Sequence, residues 1–113
     1  MNLDELAENI QKSIIQYNQL FVDILFQWKV NDKVITDLSN EFESALEKLF
    51  KIHLEEFKIV SKLWEKFYKD AIQNIQGLTM NERLYFFCLF ERFDSCNSVN
   101  CRDKIYTKLL AKK

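Results

Sequence analysis

Histidine and cysteine side chains provide many of the nucleophiles, general bases and metal ligands of enzymes. The chain of 113 residues contains one histidine, His53, and three cysteines, Cys88, Cys96 and Cys101. The cysteines lack the Cys-x-x-Cys spacing of zinc sites, so a zinc site would have to be assembled from scattered ligands. We therefore expect no catalytic residue, no metal ion and no cofactor, and the sequence predicts that the protein is not an enzyme. His53 is predicted to be a partly buried residue on a helix.

Carboxylates are the second group that could do chemistry. The acidic set consists of Asp37, Glu41, Glu43 and Glu47, which form two pairs at a spacing of one helical turn. A di-metal carboxylate bundle would also need Glu-x-x-His on two helices, which a single histidine cannot supply. We interpret the acidic set as a candidate partner-binding face, because rows of carboxylates attract basic groups on another protein. The alternative is an ordinary solvated helix face.

Basic residues are concentrated in the second part of the chain. Residues 1–47 have a net charge of −6, whereas residues 48–113 have a net charge of +5. A lysine row, consisting of Lys58, Lys62, Lys66 and Lys69, has the spacing of one helix face and would extend about 16 Å. This row could contact phosphates or could simply be solvated. An isoelectric point of about 5.9 and only three arginines are unusual for a nucleic-acid reader.

These residues must be positioned by helices, because apolar residues recur every three or four positions. The first pattern predicts a helix from about Leu3 to Lys29, with Asn2 and Glu5 forming its N-terminal cap. The second pattern extends over residues 32–76 without glycine or proline. It predicts one long central helix, and a bend or break near residues 51–56 is the alternative.

The end of the chain contains signals for helix starts and stops. Gly77 is predicted to be a left-handed C-terminal cap, and Thr79 with Glu82 has the spacing of a capping box. The apolar run over residues 84–90 predicts a helix that is buried on all sides. Ser98 or Asn100 is expected to start the last helix.

Composition agrees with this helical pattern. The chain has one glycine and no proline, whereas sheets and tight hairpins need such turn residues. Apolar residues make up 48% of the chain, which is enough to form a core. We therefore predict an all-α antiparallel bundle of four to five helices with one long central helix, which forms a single domain over residues 1–113.

Cellular location follows from the beginning of the chain and from the cysteines. The start is acidic, without the basic and apolar segments of a secretory signal. No stretch of about 18 residues is apolar enough to span a membrane. Cys88 is predicted to lie in the core, and Cys96 and Cys101 have no evident pairing framework. Such thiols suit a reducing compartment, so we expect a cytoplasmic protein.

The segment over residues 77–95, GLTMNERLYFFCLFERFDS, together with KIYTKLL over residues 104–110, resembles the C-terminal part of small bacterial immunity proteins. These are the partners of toxins in contact-dependent growth inhibition and related polymorphic toxin systems. The resemblance consists of a helix cap, an aromatic run and a short basic tail. It implies a cytoplasmic, non-catalytic inhibitor that binds a cognate toxin, such as a nuclease, stoichiometrically. The acidic set would then imitate the phosphates of the toxin's substrate.

Two other functions agree with the sequence. The first is a homodimeric adaptor or regulatory protein that pairs through an apolar helix stripe, although the same residues could pack against the first helix. The stripe consists of Phe57, Val60, Trp64, Phe67 and Ala71. The second is a nucleic-acid binder that uses the lysine row.

Overall fold

The computed structural model describes residues 1–112, and this part of the chain contains helices and no strands. The predicted all-α bundle is confirmed, although seven helices are present within residues 1–112 instead of four or five. A short 3₁₀ helix, Ile75–Gly77, lies between α4 and α5. The helices are α1 (Leu3–Ser13), α2 (Asn18–Val30), α3 (Ile35–Ile52), α4 (Leu54–Ala71), α5 (Met80–Phe86), α6 (Phe90–Asp94) and α7 (Val99–Lys108).

Helices α1 to α4 form an antiparallel bundle in which α1 packs on α2 and α4, and α3 packs on the same two helices. Ion pairs between helix ends show how the four helices are aligned. The amino group of Met1 lies 3.6 Å from the Asp70 carboxylate, and Lys29 pairs with Asp4 at 3.1 Å. The α1–α2 and α3–α4 links therefore lie at one end of the bundle, which we call the open end. The α2–α3 link lies at the opposite, closed end.

The single helix expected from Leu3 to Lys29 is divided at residues 14–17. Its N-terminal capping box is confirmed, since Asn2 and Glu5 exchange two hydrogen bonds of 2.9 Å. The division includes Tyr17 in the left-handed region, at a φ of 66°. A continuous helix would be about 40 Å long. Dividing it lets the apolar faces of α1 and α2 pack against each other, which buries more surface than one straight helix would.

The prediction of one long central helix over residues 32–76 is also wrong, because His53 separates α3 from α4. His53 has an extended backbone, with φ −139° and ψ 93°. A continuous helix would be about 68 Å long, whereas the longest dimension of the molecule is 45 Å. The reversal brings Phe42 onto Trp64, with ring centroids 4.2 Å apart. Packing between the two apolar stripes therefore decides the break, which no glycine or proline marks.

Two helix caps in the last part of the chain are predicted correctly, Thr79 before α5 and Ser98 before α7. Thr79 and Glu82 exchange hydrogen bonds of 2.8 and 3.1 Å. The Ser98 hydroxyl accepts a hydrogen bond of 3.1 Å from the backbone of Cys101. The prediction that Gly77 adopts a left-handed conformation is wrong, since no glycine within residues 1–112 has a positive φ.

The apolar run over residues 84–90 does not form one buried helix. It is divided between α5 and α6, and Cys88 between them has a φ of 56°. Phe87 enters the core and contacts Trp28 at 5.3 Å between ring centroids. Tyr85 and Phe90 remain exposed. The short helices arise because the chain turns to place Phe87 inside the bundle.

Cys96 and Cys101 form a disulfide that links the end of α6 to the first turn of α7. Their Cα atoms lie 5.5 Å apart, within the range that a disulfide spans. The expectation that they have no pairing framework is therefore wrong, and these two cysteines do not support the argument from free thiols to a reducing compartment. Cys88 stays free and is half-buried rather than fully buried in the core. Burial raises the pKa of its thiol.

Lys108 closes the bundle at the α2–α3 link. Its side chain is only 1% exposed, and its ammonium lies 3.8 Å from the centre of the Trp28 ring. The ammonium donates hydrogen bonds to the carbonyl oxygens of Trp28, Asn31 and Lys33. Burial lowers the pKa of Lys108 to about 7, and the nearby positive charge of Arg92 acts in the same direction.

Arg92 and Arg83 also donate hydrogen bonds to backbone carbonyl groups. Arg92 donates to the carbonyl oxygens of Lys29 and Asn31 and to the carboxylate of Asp32. Arg83 is buried and donates to the carbonyl oxygens at the end of α7. The hydrogen bond from Arg92 lowers the pKa of the Asp32 carboxyl. Part of the basic excess over residues 48–113 is therefore used inside the fold.

Within residues 1–112, no helix is both long enough and apolar enough to cross a membrane.

Candidate functional site

The acidic set is located on α3, but most of its carboxylates already have partners. Asp37 accepts a hydrogen bond of 3.1 Å from the backbone of Val34 and supports the start of the helix. Glu41 forms a 2.6 Å ion pair with Lys33. Glu43 is exposed and accepts a hydrogen bond of 3.4 Å from the indole nitrogen of Trp64, and Glu47 is exposed.

The acidic set does not form a single face. A rotation of about 100° per residue places the two members of each pair close together, and places the pairs about 120° apart around α3. Glu41 lines a groove between α2 and α3, together with Leu20 and Lys48. Glu43 lines a different groove between α3 and α4. A partner that contacts one face of α3 would therefore meet only part of the acidic set.

The lysine row does form one exposed surface. Its four members lie on the solvent-facing side of α4, opposite buried Val60 and Phe67. Acidic residues accompany the row, since Glu55 lies 3.7 Å from Lys58 and Glu65 is exposed beside it. The four lysines therefore lie in one exposed row on α4, and the binding role of this row stays a prediction.

The apolar stripe that could have served a homodimer belongs to the core. Val60, Trp64, Phe67 and Ala71 are all buried within the chain, and Phe57 is half-buried. The stripe packs against α3, as the contact between Phe42 and Trp64 illustrates. A second copy of the chain therefore cannot dock on this stripe while the bundle is intact.

The most distinctive surface is the open end, where large apolar side chains are exposed to solvent. Ile15 is 94% exposed, Ile52 61% and Phe50 53%. Single exposed apolar residues are ordinary on proteins, whereas a contiguous group marks an interaction surface. We call this group the apolar tip. It consists of Ile15, Tyr17, Phe50, Ile52, Leu54 and Ile59.

The apolar tip is organised around His53. The ring of Tyr17 lies 5.1 Å from the His53 ring, which connects the α1–α2 link to the α3–α4 link. Ile15, His53 and Ile59 line a hollow of about 510 Å³ between the two links. His53 also lies 3.6 Å from the carboxylate of Glu56. The prediction that His53 is partly buried is confirmed, and its position gives the tip a concave centre.

Helix length explains why this end is uncovered. Helices α3 and α4 have 18 residues each, whereas α1 has 11 and α2 has 13. At the helical rise per residue, α3 and α4 are about 27 Å long and α1 is about 17 Å long. Since the closed end is held by α5 to α7, the last turn of α3 and the first turn of α4 lack an equivalent cover.

Charges around the apolar tip are nearly balanced. Residues 12–17 and 47–59 contain four basic and three acidic side chains. A surface for nucleic acid would need a clear basic excess. An apolar centre with a mixed charged rim is instead typical of a protein–protein interface.

Within residues 1–112, no group of three or more His, Cys, Asp or Glu side chains comes together in a way that could hold a metal ion. The apolar tip was not identified from the sequence. A signal for it exists, because Phe50, Ile52 and Leu54 depart from the helical period that the core residues follow. Their departure coincides with the reversal at His53.

No family model, curated protein or solved structure matches the chain.

Proposed function

We propose that the chain is a cytoplasmic, non-enzymatic protein that binds and neutralises a bacterial toxin stoichiometrically. The exposed apolar tip carries this proposal, because several large side chains at one end can form the desolvated centre of an interface. The likeness of residues 77–95 and 104–110 to immunity proteins supports a toxin as the partner. A nuclease is the toxin class whose basic active site best suits the acidic residues of this chain.

The acidic set has a smaller role in the proposed interface than its sequence spacing suggested. Glu47 lies one turn before Lys51, at the edge of the tip, so it can flank an apolar contact. Asp37 and Glu41 lie nearer the closed end and are engaged within the chain. We expect Glu47 to add attraction and specificity at the rim, while the tip provides most of the affinity.

Replacing Ile52 and Leu54 together by aspartate is expected to abolish neutralisation. Two charges at the centre of an apolar interface leave both carboxylates desolvated without partners, which should weaken binding at least about a hundredfold. The measurement is bacterial growth when the chain is co-expressed with the product of the neighbouring reading frame, which the proposal identifies as the toxin. Affinity between the purified proteins gives the second measurement.

The matched control carries aspartate at Phe26 and Val30, which are equally exposed on α2 but lie outside the tip. This control should protect the cells as the unchanged chain does. Full protection by the tip variant would contradict the proposal. Light scattering on both variants separates a toxin interface from a homodimer, since a tip-mediated dimer would dissociate in the tip variant alone.

The continuous lysine row supports nucleic-acid binding as a second candidate function. If all four lysines contact phosphates, the affinity for duplex DNA should fall with salt at a slope of about −3.6 on logarithmic axes. A double replacement of Lys62 and Lys66 by glutamine should roughly halve that slope. The same titration with Lys12→Gln is the control. Absence of binding at low salt would eliminate this candidate.

A further inference from the structure

A groove between α3 and α4 has walls of two chemical kinds. It has a volume of about 380 Å³ and opens on the side of the bundle, away from the apolar tip. One wall is aromatic and contains Trp64 and Tyr68. The other wall is charged and contains Glu43 from α3 and Glu65 from α4. Carboxylates from two helices therefore face the same aromatic surface.

The aromatic wall is held rigidly by the core. Trp64 is only 4% exposed and stacks on Phe42 with an angle of 14° between the ring planes. Tyr68 is half-buried, and its ring centroid lies 6.1 Å from that of Trp64. Rigid rings provide contact area at a small loss of conformational entropy. Because Trp64 is almost completely buried, the half-buried ring of Tyr68 is the aromatic surface that a ligand can stack on.

Within residues 1–112, neither carboxylate of the groove is neutralised by an ion pair, and Glu43 is oriented by a hydrogen bond. One oxygen of Glu43 accepts a hydrogen bond of 3.4 Å from the indole nitrogen of Trp64. Its second oxygen has no partner among the described residues, and the exposed carboxylate of Glu65 has no ion-pair partner within residues 1–112. Two acceptors for a cation therefore remain at the groove. Lys69 lies at the groove as its one basic residue.

We propose that this groove binds the guanidinium group of an arginine side chain on the partner protein. A guanidinium is planar, carries several hydrogen-bond donors and stacks on aromatic rings, so it matches both kinds of wall. An anion would meet two carboxylates, and an apolar group would leave them without partners. The proposal deepens the toxin-binding function and rests on it for the source of the arginine. Lys69 opposes the ligand and limits its affinity.

The two tryptophans provide a direct test on the isolated chain. Trp64 reports on the groove, whereas the indole nitrogen of Trp28 donates to the carbonyl of Val34 at 2.9 Å in the closed end. The probe is the peptide acetyl-Gly-Arg-Gly-amide, followed by the two indole resonances in NMR spectra. We expect a saturable shift of the Trp64 signal at millimolar peptide and no comparable shift of the Trp28 signal.

Peptide and protein controls separate charge recognition from nonspecific stacking. Citrulline in place of arginine retains the planar shape without the charge and should produce no saturable shift. Glu65→Gln should weaken binding of the arginine peptide about three- to fivefold, and Lys69→Gln should strengthen it by a similar factor. Both residues are exposed, so neither change should disturb the core. An unchanged Trp28 signal in each variant verifies that the variant remains folded.

Three results would overturn the proposal: no saturable shift of Trp64, an equal response to the citrulline peptide, or the same direction of change in both variants. These results do not depend on the toxin. If the peptide binds as expected but the chain fails to protect cells, the guanidinium site stands and the toxin assignment fails. If the chain protects cells but the peptide does not bind, only the groove proposal is refuted.

Discussion

Replacing Phe42 by alanine is expected to lower the free energy of unfolding by about 3 to 5 kcal/mol. Phe42 is completely buried at the centre of the bundle. Its ring stacks on Trp64 and lies 5.1 Å from the ring of Phe21, so it joins α2, α3 and α4. Removing it leaves a cavity that three helices cannot close together. Urea unfolding followed by circular dichroism measures the loss.

A matched control is Phe50→Ala on the same helix. Phe50 is mostly exposed at the apolar tip, although its ring contacts Phe57 at 5.1 Å. We expect this change to cost less than about 1 kcal/mol, since little apolar surface leaves the core. Equal losses at the two positions would show that α3 does not bury Phe42 as described. The control also removes a tip residue without damage to the core.

Replacing Lys108 by methionine should lower the free energy of unfolding by about 2 to 4 kcal/mol. Methionine preserves most of the apolar contact with Trp28 but supplies no donor. The carbonyl oxygens of Trp28, Asn31 and Lys33 then lose the hydrogen bonds from Lys108 in a buried location. Lys104→Met on the same helix is the control. Lys104 is exposed, and its ion pair with Asp32, at 3.7 Å, lies on the surface. Its effect should stay below about 0.5 kcal/mol.

The same variant tests the protonation of Lys108. Burial lowers the folded-state pKa to about 7 from the ordinary value of 10.5. Between these values the unfolded chain binds more protons than the folded chain, so the free energy of unfolding rises with pH across this window. The difference between the unchanged chain and Lys108→Met should therefore increase from pH 7 to pH 10. A constant difference would mean that the folded chain keeps the ammonium charged throughout.

The two ends of the molecule are therefore expected to respond differently to mutation. At the closed end, Lys108, Arg92 and Arg83 donate hydrogen bonds to backbone carbonyl groups, so changes there reduce stability. At the open end, Ile52 and Leu54 are exposed and contribute little to the core, so changes there affect association. Measuring stability and toxin binding on the same variants tests this division directly.

Local sequence was sufficient to predict where several helices begin. Asn2, Thr79 and Ser98 each accept a hydrogen bond from a backbone group three residues later. Such caps depend only on residues within one turn, so tertiary contacts are not needed to recognise them. The lysine row was predictable for the same reason, because its geometry follows from the helical period alone.

Helix ends at the reversals were not predictable in this way. His53 lies in a segment without glycine or proline, and Tyr17 and Cys88 adopt left-handed conformations without a glycine. Each reversal lets two apolar faces pack together, and at Tyr17 and Cys88 that gain offsets the unfavourable left-handed backbone. The functions of individual charges were equally hidden, since Lys108 and Arg83 resemble surface residues until the chain folds around them.

The sequence by itself determined an all-α protein, its helix caps, its apolar periodicity and the spacing of its charged rows, because these depend on neighbours within a few positions. Tertiary structure decided that both long helices fold back, that Glu41 and Glu43 of the acidic set line different grooves, and that Cys96 meets Cys101. It also decided that the apolar tip remains uncovered. Each of these outcomes depends on which helix faces meet, and that depends on the surface buried by the whole bundle.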